Sequence, residues 1–515
     1  MTSAEQIFDL TIEPDQAGDL KLVRSLALHR AGLPENSAAR VRIVRRSVDA
    51  RARMPRFLLR VAVGGEEEAR RSFEPRALGP KRVVVVGAGP AGYFAALTLL
   101  EAGITPVVLE QGRDVRSRLK DIKKIYSESL IHPHSNYCFG EGGAGTYSDG
   151  KLFTRSKKRG DVNRILDLFV AHGASEDILV DAHPHLGSNA LPRLVRALRE
   201  SILGVGGEVR FGARVSDLLL SGGTARGVVL EDGEKIPADA VILATGHSAR
   251  DVYALLHRKG MSLEAKPFAL GVRIEHPQEL VDRMFYHHLP RHPALPPASY
   301  RIACQTGERG VFSFCMCPGG FVVPAATAPG ELVLNGMSLA SRKAPFANAG
   351  LVAEVRPSDV AAKDPLALLR FQSQVEQAVF AAGDGRTQRA PAQSARDFAR
   401  GRLTDSPGRT SYLPGVYAAS LHELLPAFVV RALRQALRVF GQRHHGFDSA
   451  EAMMLAVESR TSAPVRIPRD PVSLMHPEAA GLFPCGEGAG HAGGIISAAM
   501  DGVAVAQGVS RYVGA

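Results

Sequence analysis

The segment from Arg82 to Glu110 constrains the fold of this chain more than any other part of it. An apolar, β-branched run at 83–86 predicts a buried strand, and a helical pattern at 91–102 follows it. Between them lies a G-x-G-x-x-G turn, and a second strand at 106–109 ends on the acid Glu110. Strand, glycine turn, helix, strand and acid in this order predict a unit that binds a dinucleotide.

The residues of this unit have distinct predicted tasks. Gly87 allows the tight turn, Gly89 lets the backbone approach a pyrophosphate, and Gly92 lets the helix pack closely on the strand. The start of the helix offers free N–H groups and the positive end of its dipole to phosphates. Glu110 is spaced to hold ribose hydroxyls. The predicted cofactor contacts here are Gly87, Ala88, Gly89, Pro90, Ala91, Gly92, Glu110 and Gln111.

Three further segments favour FAD over NAD(P). The strand at 240–246 ends in Ala-Thr-Gly, which is typical of the return to the first sheet in two-domain flavoproteins. The glycine-rich segments 139–146 and 481–495 offer the bare backbone that a flat ring needs for close approach. An NAD(P) dehydrogenase needs one local region, whereas these elements spread over roughly 400 residues, which suits a long cofactor. The predicted contacts are Gly142, Gly143, Ala144, Gly145, Thr146, Val215, Ala244, Thr245, Gly246, Gly486, Glu487, Gly493, Gly494 and Ile495.

Longer segments, scattered through nearly everything after residue 80, resemble one family. They are FGEGGAGTYSDGKLFTR (139–155), SFCMCPGGFVVPAA (313–326), NGMSLASRKAPFANAG (335–350), APAQSARDF (390–398), VESRTSAPVRIPRD (457–470) and PCGEGAGHAGGIISAAMDG (484–502). On these segments the chain resembles the bacterial FAD-dependent dehydrogenase family, which consists of NAD(P)/FAD-dependent oxidoreductases. The resemblance implies a glutathione-reductase-type FAD fold with an inserted substrate domain, and it implies no particular substrate.

We expect an α/β fold: a Rossmann-like FAD domain with an inserted mixed α+β substrate domain and a small N-terminal module. Residues 1–78 predict the βαββ module, and 79–265 the first part of the FAD domain. The inserted domain is expected at 266–460, and the FAD domain resumes at 461–515. Within the insert, Asp364 and Pro365 predict a helix that starts there and runs to residue 382, and the pattern at 424–440 predicts another.

The N-terminal module is rich in arginine. One interpretation is a surface for nucleic acid or an acidic partner, and the other is the solvated face of a two-stranded ribbon. The second is favoured because few aromatic residues are interleaved to stack on bases. The residues concerned are Arg40, Arg42, Arg45, Arg46, Arg51, Arg53, Arg56 and Arg60, against the single acid Asp49.

Three side chains are candidates for catalysis. Lys151 follows the glycine-rich loop, where a cation could stabilise reduced flavin, and His491 lies in the last glycine-rich segment and could donate a hydrogen bond. Arg460 flanks the return to the FAD domain and could clamp an anionic substrate. Surface salt bridging or core hydrogen bonding is the alternative for each.

The cysteines predict neither a metal site nor a disulfide. Cys315 and Cys317 on one regular strand would lie about 6.5 to 7 Å apart with nearly parallel side chains, which is poor for a disulfide. They are expected to be structural or flavin-proximal thiols. The first glycine motif has no C-x₄-C beside it, so a disulfide-reductase mechanism is not expected. No metal is expected, because the cysteines lack ligand spacing and the histidine pairs flank prolines in loops.

Composition indicates the cellular compartment and the kinds of partner that this chain could have. Five cysteines in 515 residues predict a reducing cytoplasm and no disulfide framework. No uninterrupted apolar run is long enough to span a membrane, and the acidic N-terminus lacks the order of a signal peptide. The formal net charge of +11 permits an anionic partner without requiring one.

These observations predict a cytoplasmic FAD-dependent oxidoreductase that acts by hydride transfer on a small-molecule substrate. No second G-x-G-x-x-G appears together with its own strand and acid, so NADH or NADPH would serve only as a transient electron donor. Two alternatives stay open: a flavoenzyme that reduces a base in RNA with the help of the basic N-terminal module, and a flavin-bound protein without turnover. The oligomeric state is left undetermined.

Overall fold

A computed structural model describes residues 5–52, 54–66, 69–154, 160–307, 309–361 and 364–514 of the chain. The N-terminal module is a small antiparallel sheet in the order β1-β3-β2, with one helix packed against it. Its buried Leu10, Leu28 and Leu59 belong to the same apolar core as the large inserted sheet. The predicted βαββ module is therefore present, and it is packed on the rest of the molecule. Its elements are β1 (Gln6–Ile12), α1 (Leu20–Arg30), β2 (Val41–Asp49) and β3 (Arg56–Val63).

A parallel sheet follows, in the order β22-β10-β4-β5-β6, where β22 is Leu482–Pro484. Most of its strands come from the first half of the chain, and β22 comes from near the C-terminus, so distant segments build one sheet. This confirms the Rossmann-like fold class. The elements of the first half are β4 (Arg82–Val86), α2 (Pro90–Glu101), β5 (Thr105–Glu110), α3 (Val115–Glu128), α4 (Val162–Ala171), α5 (Asp177–Val180), α6 (Leu191–Gly204), β6 (Glu208–Phe211), β7 (Val215–Ser221), β8 (Thr224–Leu230), β9 (Lys235–Pro237), β10 (Ala240–Leu243) and α7 (Arg250–Arg258).

The alternation of side chains along the parallel strands gives the sheet two buried faces. Val83 and Val85 of β4 pack with α2 and α6 on one face. Val84 and Val86 face the other way and pack with the antiparallel meander β7-β8-β9 and with α7. Because both faces are covered, the sequences of these strands are continuous apolar runs and do not alternate between apolar and polar residues.

The inserted domain is built on a second sheet in the order β13-β14-β17-β12-β20-β18-β19. It is antiparallel except for the pair β18 and β19. Its elements, with those that return to the parallel sheet, are β11 (Glu264–Ala265), β12 (Phe268–Pro277), α8 (Gln278–Tyr286), β13 (Ala303–Thr306), β14 (Arg309–Cys317), β15 (Gly320–Pro324), β16 (Leu334–Ser338), β17 (Phe346–Val355), α9 (Ala367–Ala381), β18 (Ala390–Ser394), α10 (Ala395–Arg400), β19 (Val416–Ala418), α11 (Leu421–Leu424), α12 (Ala427–Arg443), β20 (Met453–Glu458), β21 (Val465–Arg466), β22 (Leu482–Pro484) and α13 (Ile495–Val513).

Two predicted helix starts in the insert are wrong. The N-cap of α9 is Leu366 and not Asp364. The Asp364 carboxylate instead accepts the Leu366 N–H at 3.0 Å, within the turn before the helix, and pairs with Arg370. The helix predicted at 424–440 is split, because Pro426 disfavours a helical residue before it, so α11 ends at Leu424 and α12 starts after the proline.

Within the described residues, no helix is both long and apolar enough to cross a bilayer.

Candidate functional site

The glycine turn between β4 and α2 has the geometry that its sequence predicts. Gly87 has φ +108°, a conformation that residues with side chains rarely adopt, and a Cβ there would overlap the carbonyl oxygen of Ala244, the residue after β10. A Cβ on Gly92 would overlap the carbonyl oxygen of Gly87. Both positions therefore require glycine, one for the turn and one for the close approach of helix and strand.

Glu110, at the end of β5, is held in place by backbone donors. Its Oε2 accepts the N–H of Ala88 at 3.0 Å, and its Oε1 accepts the N–H groups of Gly112 at 2.9 Å and Gly140 at 3.0 Å. The carboxylate therefore ties the glycine turn to the loop at 139–146. It also lines the cleft described next, beside Gln111.

A single cleft runs from this turn toward the inserted domain and encloses about 1510 Å³, its open mouth included. Most of the predicted cofactor contacts line it, although they come from widely separated parts of the chain. Six do not line it: Ala88, Gly92, Gly142, Thr146 and Gly486 are buried, and Gly493 is exposed. Those lining the cleft are Gly87, Gly89, Pro90, Ala91, Glu110, Gln111, Gly143, Ala144, Gly145, Val215, Ala244, Thr245, Gly246, Glu487, Gly494 and Ile495.

The cleft has the features that FAD needs. Gly89 and Gly143 lie next to each other on its wall, and the nearest atom to a Cβ on Gly89 would be the Cα of Gly143 at 4.0 Å, so bare backbone lines this part of the cleft. Helices α2 and α13 both begin at the cleft, with Gly89 and Gly494 as their N-caps, and such helix starts attract phosphate and other electron-rich groups. The Thr245 hydroxyl is buried on the cleft wall without a hydrogen-bond partner among the described residues.

A polar group centred on Asp149 forms the far wall. Asp149 and Lys151 follow the glycine-rich loop, and Lys151 Nζ lies 3.3 Å from Asp149 Oδ2. Asp149 also accepts hydrogen bonds from Ser338 and Arg342 of the inserted domain. Burial alone would raise the pKa of Asp149, but the charges of Lys151 and Arg342 hold it well below its usual range. The Lys151 side chain is 37% exposed, and its ammonium is thus fixed at the cleft as a cation.

Arg460 also lines the cleft, but its guanidinium is fully engaged with the protein. Nε and Nη2 donate to Glu376 at 3.2 and 3.0 Å, and Nη2 also donates to Glu331 at 2.8 Å. Nη1 donates to Thr327 at 2.6 Å and Ser248 at 3.2 Å. These bonds occupy the five N–H donors of an arginine. Arg460 therefore links the two domains at the cleft.

The third catalytic candidate, His491, lies outside the residues that line the cleft. Its Nε2 is 3.1 Å from the carbonyl oxygen of Ile467, and burial lowers its pKa to about 4. Sequence reasoning did not select Asp149, His247 or Asn335, which do line the cleft. The signal for the first two was adjacency, since Asp149 is two residues before Lys151 and His247 directly follows Ala-Thr-Gly. Asn335 carried no such signal.

The arginines of the N-terminal module are mostly paired with acids. Strand β1 lies beside β3 and brings Asp9 to Arg60 and Glu13 to Arg56, and Glu5 pairs with Arg42. Arg51 pairs with Asp49, and Arg46 contacts Asp177 and Asp181 of the cofactor domain. Arg53 lies outside the described residues. The excess of positive charge along this stretch of sequence is thus reduced by acids that the fold brings beside it.

Four family models match the chain. One described as "FAD-dependent protein, C-terminal domain-like" matches 267–461, and an FAD binding domain matches 81–120. A flavin containing amine oxidoreductase model matches 151–261, and a domain of unknown function matches 4–64. The FAD binding model covers the glycine turn and the strands and helix around it.

Similar proteins extend this match to the whole chain. An uncharacterized protein of Clostridium beijerinckii is 39% identical over 95% of this chain and 96% of its own length. Protein FixC of Escherichia coli K12 is 27% identical over 39% of this chain and 45% of its own. The crystal structure of a geranylgeranyl bacteriochlorophyll reductase-like protein from Thermoplasma acidophilum is 13% identical, covers 84% of this chain and 79% of that chain, and has a TM-score of 0.36. By its glycine turn, its FAD binding domain and its full-length relative, the chain belongs to the FAD-dependent oxidoreductase family.

Proposed function

We propose that this FAD-dependent oxidoreductase transfers a hydride between its flavin and a small molecule bound where Lys151 faces the cleft. FAD, when bound, supplies the two-electron chemistry. The observation that carries the proposal is that one cleft joins the glycine-lined elements of the parallel sheet to a polar wall shared with the inserted domain. Substrate pockets commonly form at such junctions between domains, with a few polar groups that fix orientation.

The placement of the lining residues supports one orientation of the cofactor. The N-terminus of α2 would hold the pyrophosphate, and Glu110 the ribose next to the adenine. Val215 lies at the same end as Glu110, on the strand that follows β6. The loop at 143–146 and the start of α13 would then lie against the flavin ring. This orientation puts the ring beside Lys151 and the inserted domain.

Lys151 has the properties of a group that stabilises negative charge in the reaction. Burial would lower the pKa of its ammonium, but Cys315, Cys317 and Asp149 raise it, so the side chain stays charged. Asp149 and its partners hold the ammonium in place, and a fixed charge needs little reorganisation when negative charge develops nearby. Arg460 has a positioning role, since its guanidinium donates to Glu331 and Glu376 of the inserted domain and to Ser248 of the cofactor domain.

Anaerobic absorbance spectroscopy of the purified protein tests the proposal. We expect flavin bands that bleach when NADH or NADPH is added. A transiently docked nicotinamide would be the electron donor, because the sequence has no second dinucleotide motif. Protein with flavin bands that neither nicotinamide bleaches, and that no small-molecule reductant bleaches in a screen, would contradict turnover. Colourless protein that FAD cannot reconstitute would contradict the cofactor site itself.

A pair of matched variants tests the role of Lys151. Lys151→Met should keep the flavin absorbance and slow bleaching by about 100-fold, because a fixed charge that stabilises the transition state is lost. Lys123→Met, on the exposed face of α3, is the control and should leave the rate unchanged. Equal rates in the two variants would remove Lys151 from the mechanism.

A further inference from the structure

Strand β14 is irregular where it meets the cofactor cleft. Its pairing with β17 shifts register between Phe314 and Cys317, and Cys315 has φ +43°, in the left-handed region. Such conformations are uncommon for residues with a side chain and concentrate at functional sites. Phe314 and Cys315 line the cleft, whereas Cys317 is fully buried behind it. The sequence argument against a bond between these cysteines assumed a regular strand, and the strand is not regular here.

The two sulfurs share one cation. Lys151 Nζ lies 3.8 Å from the Sγ of Cys315 and 3.8 Å from the Sγ of Cys317. Arg273, buried and paired with Glu458, donates to the carbonyl oxygen of Cys315 at 2.7 Å and lies 3.6 Å from Cys317 Sγ. The Cys317 thiol is 3.3 Å from that same carbonyl oxygen and within hydrogen-bonding reach of the Cys315 side chain.

This arrangement favours one thiolate and one thiol. A hydrogen bond from Cys317, and then the charges of Lys151 and Arg273, lower the pKa of Cys315 against the effect of burial and of the nearby Asp149. The hydrogen bond to Cys315, together with burial, raises the pKa of Cys317. Burial also raises the pKa of Cys485 and of Cys304. A thiolate is the nucleophilic form of cysteine, so Cys315 differs from these two in the property that decides reactivity.

We propose that Cys315 and Cys317 form a redox-active dithiol in the cofactor cleft, with a small disulfide as its substrate. The inference rests on the proposed function, because reducing equivalents from the flavin must restore the pair. Cys315 is placed to react first, since it lines the cleft, and Cys317 is placed behind it to resolve the product.

The reaction balances as thiol–disulfide exchange. The Cys315 thiolate attacks one sulfur of the substrate, its S–S bond breaks, and the first product thiolate leaves. Cys317 gives up its proton and attacks the Cys315 sulfur, which releases the second product thiol and leaves a Cys315–Cys317 disulfide. The substrate has gained two electrons and two protons, one proton from Cys317 and one from solvent. The disulfide returns to the dithiol when it accepts two electrons from the reduced cofactor and two protons.

The test uses the full-length holoprotein with its thiols reduced and its flavin oxidised, freed of reductant under anaerobic conditions, with the aromatic disulfide 5,5′-dithiobis(2-nitrobenzoate) as the probe. We expect a fast phase that releases two equivalents of coloured thiol, at least about tenfold faster than Cys304 reacts at pH 7. Peptide mapping of the product should recover a Cys315–Cys317 disulfide. A parent protein that gives no fast phase, or no such disulfide, overturns the proposal without any variant.

Three variants assign the roles. Cys317→Ser should release one equivalent in the fast phase and keep one thionitrobenzoate on Cys315, Cys315→Ser should lose the fast phase, and Cys304→Ser, the control, should behave like the parent. The fast rate should stay nearly flat from pH 6 to 8 in the parent and fall toward low pH in Lys151→Met. The charged groups around the sulfurs are Asp149, Lys151, Arg273 and Glu458. Two released equivalents from Cys317→Ser would overturn its role as the resolving thiol.

None of these readouts needs turnover or an electron donor, so they are separate from the test of the proposed function. A protein that passes the thiol test but is not bleached by NADH or NADPH keeps the dithiol and loses the proposed electron donor. A protein that is bleached but shows no fast phase keeps its oxidoreductase function and loses the dithiol.

Discussion

The two sheets that meet at the cleft differ in the kinds of groups that they bury near it. The parallel sheet approaches the cleft mainly through glycine and backbone, as at Gly87 and Gly89. The inserted sheet carries ionisable side chains into its core: Arg273, Glu275 and Glu458 are all 1% exposed or less. A backbone-lined surface needs few side-chain partners, whereas each buried charge must be paired or neutralised.

This contrast has a consequence for how each side tolerates change. Glycine elements fail by steric overlap, which is local and independent of pH. Ion-pair networks fail by leaving a partner charged and unpaired in a low-dielectric interior, which costs more and depends on pH. The following changes, from the largest expected effect to the smallest, test that difference.

Arg460→Met should give the largest effect. It removes five hydrogen bonds and leaves Glu331 and Glu376 with Arg250 as the remaining arginine of the network, so we expect a loss of about 3 to 5 kcal/mol in the free energy of unfolding. Chemical denaturation followed by fluorescence measures it. Arg460→Lys keeps the charge and should lose less. If Arg460→Met were as stable as the parent, the network would not link the domains.

Gly92→Ala should destabilise the parallel sheet by about 3 kcal/mol or more, because the new methyl group overlaps the backbone of Gly87. The flavin-to-protein absorbance ratio should fall with it, since the same turn approaches the cofactor. Gly204→Ala, at the end of α6, is the control: its Cβ would meet nothing within 4 Å, so stability should stay the same or rise slightly. Undiminished flavin content in Gly92→Ala would separate the packing of this turn from cofactor binding.

Glu275→Gln tests the pH dependence expected on the inserted side. Burial raises the pKa of Glu275 to about 7, against the hydrogen bonds from Ser411. Because this pKa is higher in the folded state than in the unfolded state, the parent protein loses stability as the pH rises from about 4.5 through about 7. The variant cannot ionise, so it should gain about 3 kcal/mol over the parent between those limits, measured by denaturation at pH 4.5 and pH 8. A constant difference across that range would contradict the raised pKa.

Arg60→Ala should have the smallest effect. Its ion pair with Asp9 is about half exposed on both sides, and water screens such pairs, so the free energy of unfolding should hardly change. We also expect weak binding of single-stranded RNA by the parent, unchanged in the variant, because acids lie beside most of the arginines of the module. Tight RNA binding that weakens steeply with salt would revive the RNA-acting alternative.

The parts of the site that the sequence predicts are those whose structure is local. Gly87, Gly92 and Glu110 lie within one strand–helix–strand unit, where turn geometry and close packing depend on neighbours along the chain. Lys151 could be predicted for the same reason, since it lies a few residues after the glycine-rich loop. The fold class followed from the alternation of apolar strands and helices around these motifs.

The rest depends on contacts that no local pattern encodes. Arg342 reaches Asp149 across 193 residues, and Glu376 reaches Arg460 across 84, so the polar wall exists only once the sheets have met. At Cys315 the alternation rule itself fails, because a bulge and a left-handed residue replace the regular strand. The predicted start of α9 was wrong for a related reason: the Asp364 carboxylate binds the turn before the helix and also Arg370, one turn into the helix.

The pairing of β10 with β22 also bears on the order of events during synthesis. Val241 lies opposite Leu482, so the whole inserted domain is translated between the two neighbours. Contacts between such distant residues form late, because closing a long loop costs chain entropy before the contact gives any return. The inserted sheet can therefore assemble on the ribosome while the edge of the parallel sheet beside β10 is still open. Flavin capture becomes a late step in the biogenesis of the protein, after β22 and α13 have been made.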